Sequence, residues 1–527
     1  MKRKIFNIIL GATLLLAAAC QKKLEDDYLD PNGFTSPTIE GFYANAQQQL
    51  GIFRYSYGEM FHNFNTFGPM LGSGGYANDG SPSNFSWVHN PYSDSYSKLR
   101  SLRAMQDMFN KLSEEDKKNY EIFMWTASVI RDYVFYHLTD ACNDVPFTDA
   151  MQAQDLNFFP SFDKQQDIYH AILANLKDVS DKLKGYSLNT SFIQQQFPRN
   201  DIWFAGNINT WRVFINSLRM RLAMRLTNVE PALTKSTIQE VLADGVYAKD
   251  RATTITLVDR QPEKAMELLI FRSISERLPQ TLWAPQNMMR VMRKAGFPED
   301  PRIPVLFQPD KDGNYTPMPS EGADVTAISP QITSSNMAQT FPSFYNRFTF
   351  ERNFGMPYQV ITSSEVHLLK VEAALRWPDL GINAADEYRA AMQESIDIYY
   401  EINGIAKDSS YTGFISAAKA TKPPQATITA FLDAMVNEFN AAAAAEKMGL
   451  MYDQKYVHFN MLKPYELWAD TRRLMKDYGA RVRKGPSNVR MMERTVYPTS
   501  EELNNGEKFQ AVKQQNNYTT PVWWTGR

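Results

Sequence analysis

Apolar residues in this chain recur three and four positions apart over long stretches, and that period limits the fold before any motif is considered. Phe123, Ala127, Ile130, Val134 and Leu138 form one such stripe. Trp211, Ile215, Leu218, Leu222 and Leu226 form another, with Arg212, Arg219 and Arg221 on the opposite face. This spacing puts one side of an α-helix into a core. Further helical stretches run from Val366 to Leu375, from Tyr388 to Tyr399, and from Ile428 to Met448 with its alanine run Ala441 to Ala445. Strand-like runs are short, Thr253 to Val258 and Ile303 to Phe307, and do not alternate with the helices, which argues against a parallel α/β sheet. The helical segments come in pairs joined by short polar turns. The expectation is a mainly α fold of tetratricopeptide-like helical hairpins, although no strict repeat at a fixed period is visible.

Composition shifts divide the chain further. From Asp250 to Gln359 the helical period fades and Pro, Gly, Ser and Asn become frequent. This stretch reads as an irregular, loop-rich lobe with a few short strands, laid against the helices. The expected organisation is one domain over 39–527: a helical body at about 39–249 and 360–480, the lobe at about 250–359, and a C-terminal segment at 481–527. A similar irregular composition runs from Leu71 to Pro91, and long loops in compact proteins usually carry function.

The first residues read as an export signal. Lys2, Arg3 and Lys4 precede an apolar run from Ile5 to Leu16, and Ala17, Ala18 and Ala19 lead into Cys20. Small residues before a cysteine are the mark of a lipoprotein signal, in which the cysteine is acylated and becomes the new N-terminus. Ala17 stands three before Cys20, where such signals usually carry Leu; Leu16 is one place further back. The apolar run is too short for a bilayer core of about 30 Å. Residues 1–19 are therefore expected to be a lipoprotein signal peptide and 20–38, polar and turn-rich, a flexible tether.

Past Cys20 the only cysteine is Cys142, so no internal disulfide forms, and Cys142 is expected to be a small buried residue. The fold must then rest on a packed core, for which 43% hydrophobic content suffices. The formal charge of −2 becomes −5 without Lys2, Arg3 and Lys4, and no basic stripe marks a nucleic-acid surface.

Several stretches, in order, resemble the SusD/RagB nutrient-binding outer-membrane lipoproteins. Arg131 to Ala150 is similar to an aromatic-rich helix followed by a "gDvPyteA"-like turn. Phe159 to Asp163 with Gln166 to Tyr169, Trp211 to Leu226, Asp300-Pro301-Arg302, and Tyr358 to Trp377 resemble successive family segments. So do Trp468, Asp470, Arg472 and Arg473, then Arg494, Tyr497, Pro498 and Glu501, and the closing Val522-Trp523-Trp524. The resemblance spans nearly the whole chain after the leader and is nearest to the second, divergent SusD-like subgroup. It implies a helical fold with an irregular lobe. It also implies a surface protein, lipid-anchored in the outer membrane, that acts as a lid on a SusC-like TonB-dependent β-barrel transporter and delivers an oligosaccharide or a peptide to it.

Local chemistry nominates ligand contacts. The loop Gly72 to Tyr92 sets Tyr76, Phe85, Trp87 and Tyr92 among Asn78, Asn84 and Asn90. Aromatic rings stack on the C–H faces of sugars while amides bond the hydroxyls. Tyr76, Asn84, Trp87 and Tyr92 are the expected contacts there, with Trp283 in QTLWAPQN as a further one. Arg212, Arg219, Arg221, Asp470, Arg472 and Arg473 are read as structural ion pairs and helix-face cover. Asp310, Asp312, Gly313 and Asn314 lack the calcium-loop spacing and are read as a turn. The six histidines, His62, His89, His137, His170, His367 and His458, show no metal-binding spacing, and no nucleophile elbow or phosphate loop is present. Neither cofactor nor metal is expected. The competing readings are a glycoside hydrolase working through two carboxylates that meet only in the fold, and a ligand-free helical scaffold.

Overall fold

A computed structural model describes residues 37–51, 91–152, 155–257, 284–310, 312–317, 343–350, 353, 356–406, 419–478 and 492–527. Helix α1 (Ile39–Gly51) packs on α2 (Pro91–Asn110), which packs on α3 (Glu121–Cys142). Then come α4 (Gln165–Leu183), α5 (Ser191–Asn200), α6 (Ile208–Arg225) and α7 (Pro231–Asp244). Strand β1 (Ile255–Leu257), the two-turn α8 (Gln286–Met292) and β2 (Tyr358–Ile361) follow. The chain continues in α9 (Ser363–Arg376), α10 (Ala384–Gly404), α11 (Gln425–Ala441), α12 (Ala444–Phe459) and α13 (Pro464–Tyr478). Helices adjacent in sequence pack on one another, α3 with α4, α6 with α7 and α9 with α10, so the mainly α, tetratricopeptide-like expectation holds. Among the described residues no helix is long and apolar enough to cross a membrane.

Local chemistry sets the helix starts. Asn207 Oδ1 accepts the Thr210 N–H at 3.0 Å, Thr362 Oγ1 that of Glu365 at 3.1 Å, and Asn383 Oδ1 that of Ala385 at 3.1 Å. Each supplies a donor-rich helix end with an acceptor that the backbone lacks. Helix α7 starts with Pro231 and ends at Gly245, whose φ of 71° is the left-handed stop that glycine takes without strain.

Among the described residues the hydrophobic interior has two large parts. One gathers α1 to α7 with β1, β2 and the C-terminal segment. The other gathers α8 and α10 to α12 with Ile303 to Phe307, Tyr345 and Phe350. Helices α9 and α13 feed both: Val366, Leu369 and Ala373 face the first, Leu368 and Val371 the second, while Trp468 and Leu467 divide likewise on α13.

Between the two cores lies a buried ionic network. Arg221 Nε and Nη2 meet Glu365 at 2.6 and 2.9 Å. Arg225 bonds Asp470 at 2.6 Å, Asp140 at 3.3 Å, and Glu466. Lys455 reaches Asp470 at 2.7 Å and Glu372 at 3.5 Å, Arg473 holds Glu372 with two bonds of 2.6 and 2.7 Å, and Lys463 bonds Glu365 at 2.7 Å. The pairs foreseen among these residues are thus present, but Arg219 and Arg221 do not sit on a solvent face: both are buried. Arg212 and Arg219 pair with Asp244 and Glu240 on the neighbouring α7, each at 2.6 Å, and Arg221 turns inward to Glu365. Burial of α6 on nearly all sides leaves no outer face for them.

The end of α3 is closed by distant chain. The Asp140 carbonyl accepts from Arg472 at 2.9 Å, and the Ala141 carbonyl from the Thr495 N–H at 2.8 Å. The Cys142 carbonyl accepts from Arg494 and from the Tyr497 hydroxyl. These carbonyls have no partner within the helix. Cys142 itself is buried, as expected, its Sγ 3.1 Å from Thr495 Oγ1.

Within 250–359 the described residues are irregular, with one correction. Thr253 to Val258 does contain a strand: β1 pairs antiparallel with β2, Ile255 opposite Ile361 and Leu257 opposite Tyr358. Ile303 to Phe307 is not a strand but a single helical turn, Ile303–Leu306. Pro304 sits in its first turn, where a missing N–H costs nothing, and the Asp300 carboxylate accepts the Arg302 N–H at 2.9 Å to start it. Asp310 makes the expected turn, accepting N–H groups of Asp312 and Asn314 at 3.0 and 2.9 Å.

The network sets two expectations. Burial alone pushes the Glu466 carboxyl up, but Arg221, Arg225 and Lys463 overcome it and hold it well below its usual range. Glu466→Gln leaves Arg225 buried against fewer charges and is expected to cost about 3–5 kcal/mol in chemical denaturation. His137, packed among Tyr133, Tyr136 and Tyr465, is lowered by burial from 6.5 to about 3. It therefore stays neutral when folded, whereas the unfolded chain takes up a proton below 6.5, so its contribution declines as pH falls from 6.5 towards 3. Measured from pH 7 to pH 4, the stability gap between the protein and His137→Gln should narrow; a constant gap would refute the assignment.

Candidate functional site

Tyr92, the last residue of the loop nominated by the sequence, opens the α2 face that lines a cavity of about 600 Å³. Tyr76, Asn84, Trp87 and Trp283 lie outside the described residues. Tyr92 is a wall, not a free stacking platform. It is 4% exposed, with its ring edge-on to Tyr96 at 4.9 Å and to Tyr497 at 6.0 Å. Tyr497 in turn packs on Phe162 at 5.4 Å and Phe509 at 6.0 Å, which extends the aromatic cluster around Tyr92.

Three chain segments form the groove. The first is α2, whose Tyr92, Ser93, Tyr96, Ser97, Arg100 and Arg103 recur at helical spacing and so share one side. The second is the turn after α3. Its Asp163 carboxylate accepts the N–H groups of Phe147 and Thr148 at 2.8 and 3.0 Å and the Thr148 hydroxyl at 2.8 Å, folding 145–163 back on itself. Asp144 accepts the Gln165 N–H at 2.9 Å and so opens α4. The turn is moored to α2 by the Tyr96 hydroxyl, which donates to the Pro146 carbonyl at 2.6 Å, and by Arg103, which pairs with Asp155 at 2.7 Å. The third segment is Pro498 to Glu501, tied to the turn by Asn505 Nδ2, which donates to the Pro160 carbonyl at 2.9 Å.

The lip is apolar and exposed. Leu156, Phe158 and Phe159 are 79%, 59% and 60% exposed, and Phe158 lines the cavity. Leu503, 81% exposed, follows the Pro498 to Glu501 wall. Met151 and Leu156 hold φ of 61° and 63°, a left-handed backbone unusual for such side chains. A second cavity of about 210 Å³ adjoins, sharing Arg103, Ala150 and Met151 and lined also by Arg131, whose guanidinium lies 5.5 Å from the Phe147 ring centre.

Burial raises the Tyr92 and Tyr96 phenols well above their usual range, so both stay protonated. Burial also raises the Glu501 carboxyl, against hydrogen bonds from Asn505 and Tyr92 that favour its charged form. The groove thus offers one exposed ring, Phe158, beside the packed Tyr92 and Tyr96, with two serine hydroxyls of α2 and charges of both signs, a mixture suited to a polyhydroxylated ligand. Glu501 is the one carboxylate among the described lining residues. Among the described residues no group of three or more His, Cys, Asp or Glu is placed to hold a metal. Phe158, Arg100 and Glu501 were not singled out in the sequence as ligand contacts. The adjacent pair Phe158-Phe159, in a turn without helical period, was the available signal.

A family model described as "Starch-binding associating with outer membrane" matches residues 38–498. No match was found among curated protein sequences. Among solved structures, a SusD/RagB family protein of Bacteroides thetaiotaomicron is similar, with a TM-score of 0.69, 18% identity, and 93% of this chain and 99% of that one covered. A SusD homologue of Bacteroides fragilis superposes with a TM-score of 0.67 at 18% identity over 93% of this chain and all of the other. A chitin-binding SusD homologue of Flavobacterium johnsoniae gives 0.63 at 17% identity over 92% and 98%. With the family model covering most of its length and the helical fold in agreement, the chain belongs to the second SusD-like family.

Proposed function

We propose that this protein is a cell-surface lipoprotein of the outer membrane, anchored through acyl chains on Cys20, that captures an oligosaccharide and passes it unchanged to a SusC-like TonB-dependent transporter. The observation that carries the reading is the open groove of α2, which joins a packed aromatic wall and an exposed phenyl to hydroxyl and charged groups. Membership of a family described as starch-binding and outer-membrane-associated supports the ligand class and the location. Peptide is the competing ligand. Tyr76, Asn84, Trp87 and Trp283 remain proposed contacts on their local chemistry.

The hydrolase alternative needs two carboxylates facing one bond, and the described groove lining has one. Calorimetric titration with oligosaccharide and peptide panels, with chromatography of the ligand afterwards, tests the proposal. Saturable binding with the ligand recovered intact is expected; release of fragments would favour the hydrolase. Phe158→Ala, at an exposed position, should leave the melting temperature within about a degree and weaken glycan binding by about tenfold, or about 1.4 kcal/mol. Cys20→Ala should move the protein out of the outer-membrane fraction, since each buried acyl CH₂ contributes about 0.8 kcal/mol to anchoring. Unchanged fractionation would rule out the lipid anchor.

A further inference from the structure

The charges of the groove are unequally committed, and the uncommitted one indicates the ligand. Of the described lining residues, Arg100, Arg103 and Glu501 carry charge. Arg103 is occupied, with Nε 3.0 Å from Asp107 and Nη2 2.7 Å from Asp155. Glu501 is half-buried and held by Asn505 and Tyr92. Arg100 stands three positions before Arg103, on the same side of α2. It is exposed, and no carboxylate among the described residues pairs with it. Its planar fork matches a carboxylate with two parallel N–H bonds, a geometry that a lysine or an amide does not reproduce.

We propose, resting on the glycan-binding reading above, that the groove selects oligosaccharides carrying a carboxylate, that is, uronic acid units, with Arg100 pairing the carboxylate and Phe158 lying against a ring face. Selection comes from contact and not from steering. The chain after its leader is net negative, and at physiological salt its long-range field fades within about 8 Å. Arg100 acts inside that range.

The test uses the full chain purified in detergent and calorimetry with oligogalacturonides, alginate oligomers and glucuronoxylan fragments. Each is measured before and after reduction of its carboxyl groups to primary alcohols. Chito-oligosaccharides provide a neutral arm and Asp/Glu-rich tetrapeptides a peptide arm. The expected result is at least one acidic chain that binds about tenfold more tightly than its reduced form, with that ratio abolished by Arg100→Gln and partly kept by Arg100→Lys. Phe158→Ala should weaken acidic and reduced forms equally. Equal binding of acidic and reduced chains, a preference for chito-oligosaccharides, or a ratio that survives Arg100→Gln would overturn the inference and leave the glycan reading standing. Binding of the tetrapeptides alone, or of no sugar, would overturn both.

Discussion

Ten buried charges decide how this chain is assembled. Arg221, Arg225, Lys455, Lys463 and Arg473 face Asp140, Glu365, Glu372, Glu466 and Asp470, five of each sign, at the junction of the two hydrophobic cores. Each charge is costly to remove from water, and the cost is offset only when every partner is in place with good geometry. Directional bonds between paired charges add to close packing a further constraint on the rotation of one helix against another. Helices α3, α6, α9, α12 and α13 are thereby held in one register, and α9 and α13 can present different sides to different cores. A ladder of stacked groups extends the arrangement: the Arg472 guanidinium lies 3.3 Å from the Trp468 ring centre and 4.8 Å from that of Trp524.

The groove is built on this frame and differs from it in kind. Its α2 wall carries tightly packed aromatic side chains, but its lip is exposed apolar surface on a turn that carries two left-handed, non-glycine residues. Such backbone costs about 1–3 kcal/mol per residue and persists only where surrounding bonds hold it. Here those bonds are the Asp163 cap, the Tyr96 to Pro146 mooring and the Arg103 to Asp155 pair. Stability spent in this way keeps Phe158 outside the core.

The helices were legible in the sequence because one-sided burial writes a period of three and four. The same rule misread α6. When a helix is enclosed, its arginines pair inward with acids far along the chain, as Arg221 does with Glu365, and spacing alone carries no trace of a partner 144 positions away. Ile303 to Phe307 misled for a different reason, since a short apolar run does not distinguish a strand from one helical turn. For the site, the sequence led to Tyr92 and to the end of α2, yet the ring itself proved to be wall. Arg100 and Glu501 belong to segments that meet only through the fold. The motifs Arg472-Arg473 and Arg494 to Tyr497, which carried part of the family resemblance, close the carboxyl end of α3 and the charge network.

That closure has a consequence for how the chain can be made. The Ala141 carbonyl waits for Thr495, 354 positions later, and Arg225 waits for Asp470, 245 positions later. Until those residues are available, α3 ends in bare carbonyls and the centre of the molecule contains unmatched charge. The last contacts of the network can form only once almost the whole chain is present. For a chain exported by the leader proposed above, late closure would be an advantage, because a thread passes a translocation pore and a finished fold does not.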